Sequence, residues 1–313
     1  MHIPDGFLDA KTAVTTGVLA TAGVGWSLRQ ARQKLPARRV PLLGLAAAFI
    51  FAAQMLNFPV AGGTSGHLIG GVLAAVLVGP GAAVVVLTSV LILQCFLFND
   101  GGVTALGANI FNMALVAPLA GYTIYRSVHR LTTGLRGMVL AAAFAGWGAT
   151  VLAAVCCAGQ LALSGTVPWG KVFPAMTGVH MLIGIGEGAI TALVLAAVAR
   201  TRSELIEEGA PATLRKSYRE VLVYGLLLSL GLALFVAPFA CGWPDGLEKV
   251  AGALGFEHRA AEKAIIPAPL PDYGIPGVRS APWVTAVVGA TGTMVAFGVA
   301  WLLARALTPK EER

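Results

Sequence analysis

An all-helical membrane bundle is the fold this sequence predicts, and three observations predict it. Hydrophobic residues make up 57% of the chain and charged residues only 12%, about half the charged share of ordinary soluble domains. Apolar stretches recur along the whole length with few charges inside them. The basic residues gather in alternate connections between those stretches.

A helix needs about 20 apolar residues to cross the hydrocarbon core of a bilayer. Nine stretches suit that role, near 12–28, 41–58, 67–80, 81–98, 103–125, 137–163, 173–199, 220–240 and 283–305. The integral membrane protein so predicted is a polytopic bundle of about nine transmembrane helices, seven within residues 1–200 and two within 220–313. The third and fourth stretches are short and are separated by Gly79-Pro80, a pair that turns the chain. Residues 201–219 are polar and read as a cytoplasmic linker, partly helical and broken near Ala210-Pro211. Between the last two spans lie roughly forty residues rich in Pro267, Pro269, Pro271, Gly274, Pro276 and Gly277. Such a length without structure of its own marks function or flexibility.

Charge sets the orientation. The first span is not preceded by a basic segment and ends in no small-residue cleavage site, so it is not an ordinary signal peptide. Its far side carries Arg29, Arg32, Lys34, Arg38 and Arg39, which places that connection in the cytoplasm and the amino terminus outside. Alternating from there, the inner segments also hold Arg126, Arg130, Arg136, Arg200, Arg202, Arg215, Lys216, Arg219, Arg305, Lys310 and Arg313. Sixteen of the 22 Lys and Arg therefore lie inside, and the carboxyl terminus is expected in the cytoplasm. The formal charge of +7 reflects this topology. Spread over four segments, it makes no nucleic-acid surface. Cys95, Cys156 and Cys157 fall inside spans and read as small buried residues, and Cys241 lies at an outer helix end.

The chain opens Met1-His2-Ile3-Pro4-Asp5-Gly6-Phe7-Leu8. A His at position 2 offers three nitrogens to one ion: the Met1 α-amine, the His2 backbone nitrogen and a His2 ring nitrogen. They close a five-membered and a six-membered chelate ring and leave one corner of a square open. Nitrogen-rich planar geometry suits Ni(II) or Cu(II). The competing reading is a His that follows the initiator by chance. His67 ends the Gly-rich run Ala61-Gly62-Gly63-Thr64-Ser65-Gly66 on the same outer side. It is either a helix-capping His or the fourth planar nitrogen, since glycine backbone lets another segment approach closely.

Glu187 is a carboxylate deep inside a span, and His180 lies seven residues earlier on the same helix face. Ionisable groups at that depth are candidates for function, and a polar pair locking two helices is the equal alternative. Gln54, Asn57, Gln94, Asn109 and Asn112 are amides in or near spans. Hydrogen bonding between helices is their expected use, and orienting His67 is the sharper one. The run Gly165-Thr166-Val167-Pro168-Trp169-Gly170-Lys171-Val172 nearly matches a phosphate-binding loop, but Val172 lacks the hydroxyl for Mg²⁺ and no strand precedes it. The chain is therefore not expected to hydrolyse ATP, and no hydrolase motif occurs in it.

The octapeptide, the run to His67, the stretches Asn99-Asp100-Gly101-Gly102 and Gly107-Ala108-Asn109-Ile110-Phe111-Asn112, and His180 to Glu187 together resemble one family. It is the substrate-capture component of nickel/cobalt energy-coupling factor transporters, and the likeness covers roughly residues 1–200. The tail carries Pro244-Asp245-Gly246-Leu247-Glu248 and is similar to the small accessory subunit of those transporters, fused here to the capture component. The resemblance implies a square-planar substrate ion, Ni²⁺ or Co²⁺, held by the amine of Met1, both kinds of His2 nitrogen, and His67, with no catalytic cofactor. It implies a multi-pass protein of the bacterial inner membrane. It also implies two partners, a transmembrane coupling component and a pair of cytoplasmic ATPases. Pro4-Asp5 stands where the cobalt branch often has Met-Glu, which points to nickel over a cobalt supply for cobalamin synthesis. Two rival functions remain. An intramembrane metalloenzyme using His180 and Glu187 lacks any accompanying catalytic motif. A passive channel needs weak binding, which a chelating terminus does not give. All the chelating groups precede residue 68, so the tail is expected to be dispensable for capture and needed for transport, with Asp245 and Glu248 on a separate outer hairpin.

Overall fold

The structure is a computed structural model that describes residues 1–206, 218–261, 263–279 and 281–308. It is helical nearly throughout. Helix α1 (Ala10–Lys34) begins where the Asp9 carboxylate accepts the Thr12 N–H at 2.9 Å, a cap for the free amides of a first turn. α2 (Val40–Gln54) crosses back and ends in a short antiparallel hairpin, β1 (Phe58–Val60) with β2 (Thr64–Gly66), in which Pro59 faces Ser65. The loop 67–70 leads into α3 (Gly71–Val78), which Gly79 and Pro80 separate from α4 (Pro80–Phe98). Gly79 has φ of +91°, a left-handed conformation open to glycine at little cost. Proline then starts the next helix without needing its missing N–H.

A short α5 (Leu106–Asn109) runs through a π-helical turn, Ile110–Val116, into α6 (Ala117–Leu131). The widened turn is a device often found at functional positions, and Asn109 and Asn112 flank or occupy it. α7 (Gly134–Leu163) and α8 (Trp169–Thr201) form an antiparallel pair along their whole length. The run 165–172 that mimics a phosphate loop is the turn between these two helices, and its Gly170 and Lys171 already belong to α8. The tail supplies α9 (Tyr218–Gly231), α10 (Gly246–Leu254) and α11 (Pro282–Leu307).

Among the described residues, five helical stretches are long and apolar enough to span a bilayer unaided: Pro80–Phe98, Gly134–Leu163, Trp169–Thr201, Tyr218–Phe239 and Pro282–Leu307. α2 is apolar but has 15 residues, α3 has eight, and α1 has the length with a less apolar composition. Exposed Leu193, Leu227, Leu228, Phe235 and Leu302 fit a chain whose outer surface meets lipid rather than water.

Two expectations need correcting. The outer segment between the last spans is not without structure, for it contains α10. Nor does the tail stand apart, for α9 and α11 pack along α2, while α10 lies against α8 and β2. The linker break near Ala210-Pro211 falls outside the described residues.

Candidate metal site

The amino-terminal strand is threaded into one end of the bundle and fixed at both edges. Asn109 holds Ile3 on both sides: its Oδ1 accepts the Ile3 N–H at 2.8 Å and its Nδ2 donates to the Ile3 C=O at 3.1 Å. The Gly102 N–H donates to the same carbonyl at 2.9 Å. Asp5 is tied by Thr104, whose N–H and hydroxyl donate to one carboxylate oxygen at 2.8 and 2.6 Å. The Thr166 hydroxyl donates to the Phe7 C=O. Met1, Ile3 and Phe7 are buried as a result.

This threading needs glycine where the strand meets the loop after α4. A Cβ on Gly102 would stand 2.2 Å from the Asp5 nitrogen, and backbone cannot yield there as a side-chain tip can. Gly102→Ala is therefore expected to displace residues 1–5 and to abolish tight metal binding while the protein still inserts. Metal retained per purified chain checks this, and full retention would show that the strand is not held as described.

Met1 and His67, 66 residues apart in sequence, meet here. The Met1 amine donates to His67 Nε2 at 2.7 Å. His67 Nδ1 lies 3.1 Å from the Leu68 C=O. A carbonyl only accepts, so Nδ1 carries the proton and the Nε2 lone pair faces the amine. The His2 ring stacks on that of His67, with centroids 5.3 Å apart and planes 18° from parallel. His2 Nδ1 is paired with Asp100 at 3.0 Å, and His2 Nε2 is buried without a partner. No acceptor among the described residues takes the His2 backbone N–H.

The loop carrying His67 is shaped from below by Glu187. Its carboxylate accepts the N–H groups of Ile69 and Gly70 at 2.5 and 3.0 Å. Glu187 thus orients the loop that carries His67, and no hydrogen bond joins it to His180. His180 donates from Nδ1 to the Met176 C=O at 2.8 Å, and its other ring edge abuts Gly246 of the tail. The amides divide. Gln54 donates to the Ile69 C=O at 3.0 Å and accepts from Gln94 at 2.8 Å, so this pair braces the same loop. Asn112 and Gln160 exchange two bonds of 2.8 Å between the π turn and α7, away from the chelating groups. Asn57 contributes its main chain, whose C=O accepts the Cys241 N–H at 2.8 Å.

Sequence reasoning missed three residues here. Asp245 lies not on a separate hairpin but against the amine. Its Oδ2 is 3.0 Å from Met1 N, while its Oδ1 caps α10 by accepting from Leu247 and Glu248 at 2.7 and 2.9 Å. Burial alone would raise the Asp245 carboxyl, but the positive amino terminus beside it and the hydrogen bond at the helix start hold it well below the usual range. Tyr273 donates to Asp100 Oδ2 at 2.7 Å. Asp100 therefore joins His2 on one oxygen to the tail on the other. Burial pushes the His2 ring towards the neutral form, against a smaller opposing pull from Asp100. The one sequence signal for Asp100 was its place in Asn99-Asp100-Gly101-Gly102, where Asn99 adopts φ of +57°. Tail backbone closes over the rest: the Ser65 N–H donates to the Pro244 C=O at 2.8 Å, and the Ala261 N–H to the Asp5 C=O at 2.9 Å.

Side chains alone do not make a metal cage. Among the described residues no three or more His, Cys, Asp or Glu side chains group as ligands. The groups that meet here are the Met1 amine and the imidazoles of His2 and His67.

Residues 2–205 match the family described as the cobalt uptake substrate-specific transmembrane region, CbiM, and residues 219–309 match the PDGLE domain. The chain belongs to the CbiM family. A putative fused nickel transport protein NikMN from Archaeoglobus fulgidus is 39% identical over 311 residues, covering 97% of this chain and 98% of that one. The fused nickel transport protein NikMN of Rhodobacter capsulatus is 33% identical over 317 residues, covering 90% and 91%. A crystal structure of a transition metal transporter superposes with a TM-score of 0.61 at 34% identity, covering 69% of this chain and all of that one. CbiM proteins with a fused PDGLE domain are multi-pass membrane components of metal transport, not enzymes. The intramembrane-enzyme alternative built on His180 and Glu187 falls with that membership.

Proposed function

We propose that the chain is the substrate-capture component of an ATP-driven uptake transporter and holds Ni²⁺ in a square of four nitrogens. These are the Met1 amine, the His2 amide, His2 Nδ1 and His67 Nε2. One observation carries the reading: the Met1 amine and His67 Nε2 lie 2.7 Å apart. Nitrogen ligands bind such ions at about 2 Å, so neighbouring corners of a square stand about 2.8 Å apart. The His2 backbone nitrogen, which bonds to no described residue, and the His2 ring supply the remaining corners. His2 Nδ1 is turned to Asp100 in this structure. Chelation through Nδ1 therefore requires the His2 ring to turn away from its present contact with Asp100. A carboxylate behind a metal-bound imidazole fixes its tautomer and orientation.

Residues 1–200 form the capture region in this reading, residues 201–219 the cytoplasmic linker, and 220–313 the accessory region. The protein acts with other transporter components: a transmembrane coupling protein and two cytoplasmic ATPases. It lies in the bacterial inner membrane with nine spans, its amino terminus outside and its carboxyl terminus inside. A reporter fused after Arg313 is expected to behave as cytoplasmic, and an extracytoplasmic signal would exclude an odd number of spans. Purified with its native amino terminus from cells supplied with both metals, the chain is expected to retain nickel. Retention of cobalt alone would move the reading to the cobalt branch, and retention of neither would overturn it.

The tail takes part in capture in this account, contrary to the expectation from sequence. Asp245→Ala removes both the ion pair to Met1 and the α10 cap, the latter worth about 1 kcal/mol. Nickel affinity is expected to fall by roughly ten-fold, about the value of one charge-assisted hydrogen bond. Calorimetric titration of the full chain measures this, and unchanged affinity would return the tail to a role in transport alone.

A further inference from the structure

At the end of the bundle opposite Met1 lies a cavity of about 550 Å³. It opens between the start of α2, the break at Gly79, the carboxyl-terminal half of α6, the first turns of α7 and the end of α8 with residues 203–206. Its polar wall is Arg39, Tyr122, Tyr125, Arg126 and His129, and its apolar wall includes Met138. We propose that this cavity binds the phosphate headgroup of an anionic membrane lipid, with the guanidinium groups of Arg39 and Arg126 as its main contacts.

The chemistry of the lining selects a phosphate. Neither Arg39 nor Arg126 forms an ion pair with a carboxylate among the described residues. Arg126 is steered by the Tyr122 ring, with its guanidinium carbon 6.0 Å from the ring centroid. His129 Nδ1 is buried and has no partner. The Tyr125 hydroxyl bonds to no described residue, although its ring is buried and stacks on His129 at 5.5 Å. Two guanidinium forks, a ring N–H and phenolic hydroxyls are all donors, and guanidinium matches the geometry of phosphate oxygens.

The surroundings select a lipid over a soluble anion. The cavity lies at the end of the bundle where the basic connections gather, the side that faces the anionic leaflet. Beside the cavity, Leu131 and Leu140 are 86% and 61% exposed, and Leu135, on the cavity wall, 37%, an apolar flank along which acyl chains can run. Tyrosines at the mouth of an apolar flank are the usual anchors at the headgroup level.

The test uses the full chain in detergent and measures lipids retained by native mass spectrometry, with thermal stability as a second reading. Phosphatidylglycerol is expected to bind and to raise the melting temperature, whereas phosphatidylcholine and inorganic phosphate at the same excess are not. Arg39→Gln/Arg126→Gln is expected to weaken phosphatidylglycerol binding about ten-fold or more while nickel binding at the other end is kept, which shows the variant folded. If the double variant does not fold, each single substitution is expected to give part of the loss. Equal binding of the two lipids, or undiminished selectivity in the folded variants, overturns the proposal. Stabilisation by inorganic phosphate as strong as by the lipid would identify a soluble anion site and overturn the lipid assignment.

Discussion

One residue added before Met1 is expected to abolish nickel accumulation in cells that make normal amounts of the protein. The extension converts the α-amine into an amide and moves His2 to position 3. A His at position 3 chelates through four nitrogens of its own and no longer needs His67. The structure also gives that longer chelate no room. Met1 is buried, Ile3 is clamped through both backbone groups by Asn109, and Asp245 and His67 already close on the amine. An extended peptide can therefore bind nickel in solution while the protein fails to take it up. Accumulation of nickel by cells carrying the extension, with protein amounts measured alongside, decides the matter. Normal accumulation would remove the amine from the ligand set.

The second large effect is expected from His67→Ala. His67 is buried, its Nδ1 proton is committed to Leu68, and its Nε2 lone pair faces the amine. Alanine takes away one corner of the square and leaves water to fill it. Because Glu187 and Gln54 hold the loop through Ile69 and Gly70, the backbone of the variant keeps its place. Nickel binding to the folded parent adds about 4 kcal/mol at a thousand-fold excess over Kd, read as a shift in melting temperature. His67→Ala is expected to lose nearly all of that shift. An equal shift in parent and variant would exclude His67 as a ligand.

The parts of the candidate site differ in how far the sequence alone makes them legible. The octapeptide and the Gly-rich run to His67 announced themselves because the constraint is local. A chelate of the first two residues needs nothing but its own backbone, and glycines mark where a second segment approaches. The apolar stretches were legible for the same reason, since each helix satisfies its own backbone in lipid. What the tail does was not legible. Asp245 and Tyr273 reach Met1 and Asp100 across more than 170 residues, and no periodicity records such a meeting. Asp245 stood in a recognisable motif on what read as a separate outer hairpin, whereas it caps α10 through one oxygen and meets the amine through the other. Asn57 and Asn109 looked alike as amides near helix ends. Only the fold tells that Asn109 grips the amino-terminal strand with its side chain while Asn57 offers its main chain to the tail. Glu187 was poised between function and glue. In the structure its carboxylate accepts two backbone N–H groups of the loop that carries His67.

The claim on which the rest depends is that the ion sits among four nitrogens that begin at residue 1. X-ray absorption at the nickel edge, on the purified full chain with its native amino terminus, tests it most directly. A four-coordinate planar spectrum is expected, with nitrogen neighbours at about 2 Å or slightly less and the outer-ring scattering of two imidazoles, reduced to one in His67→Ala. A six-coordinate spectrum dominated by oxygen, or one unchanged by removal of His67, would contradict it.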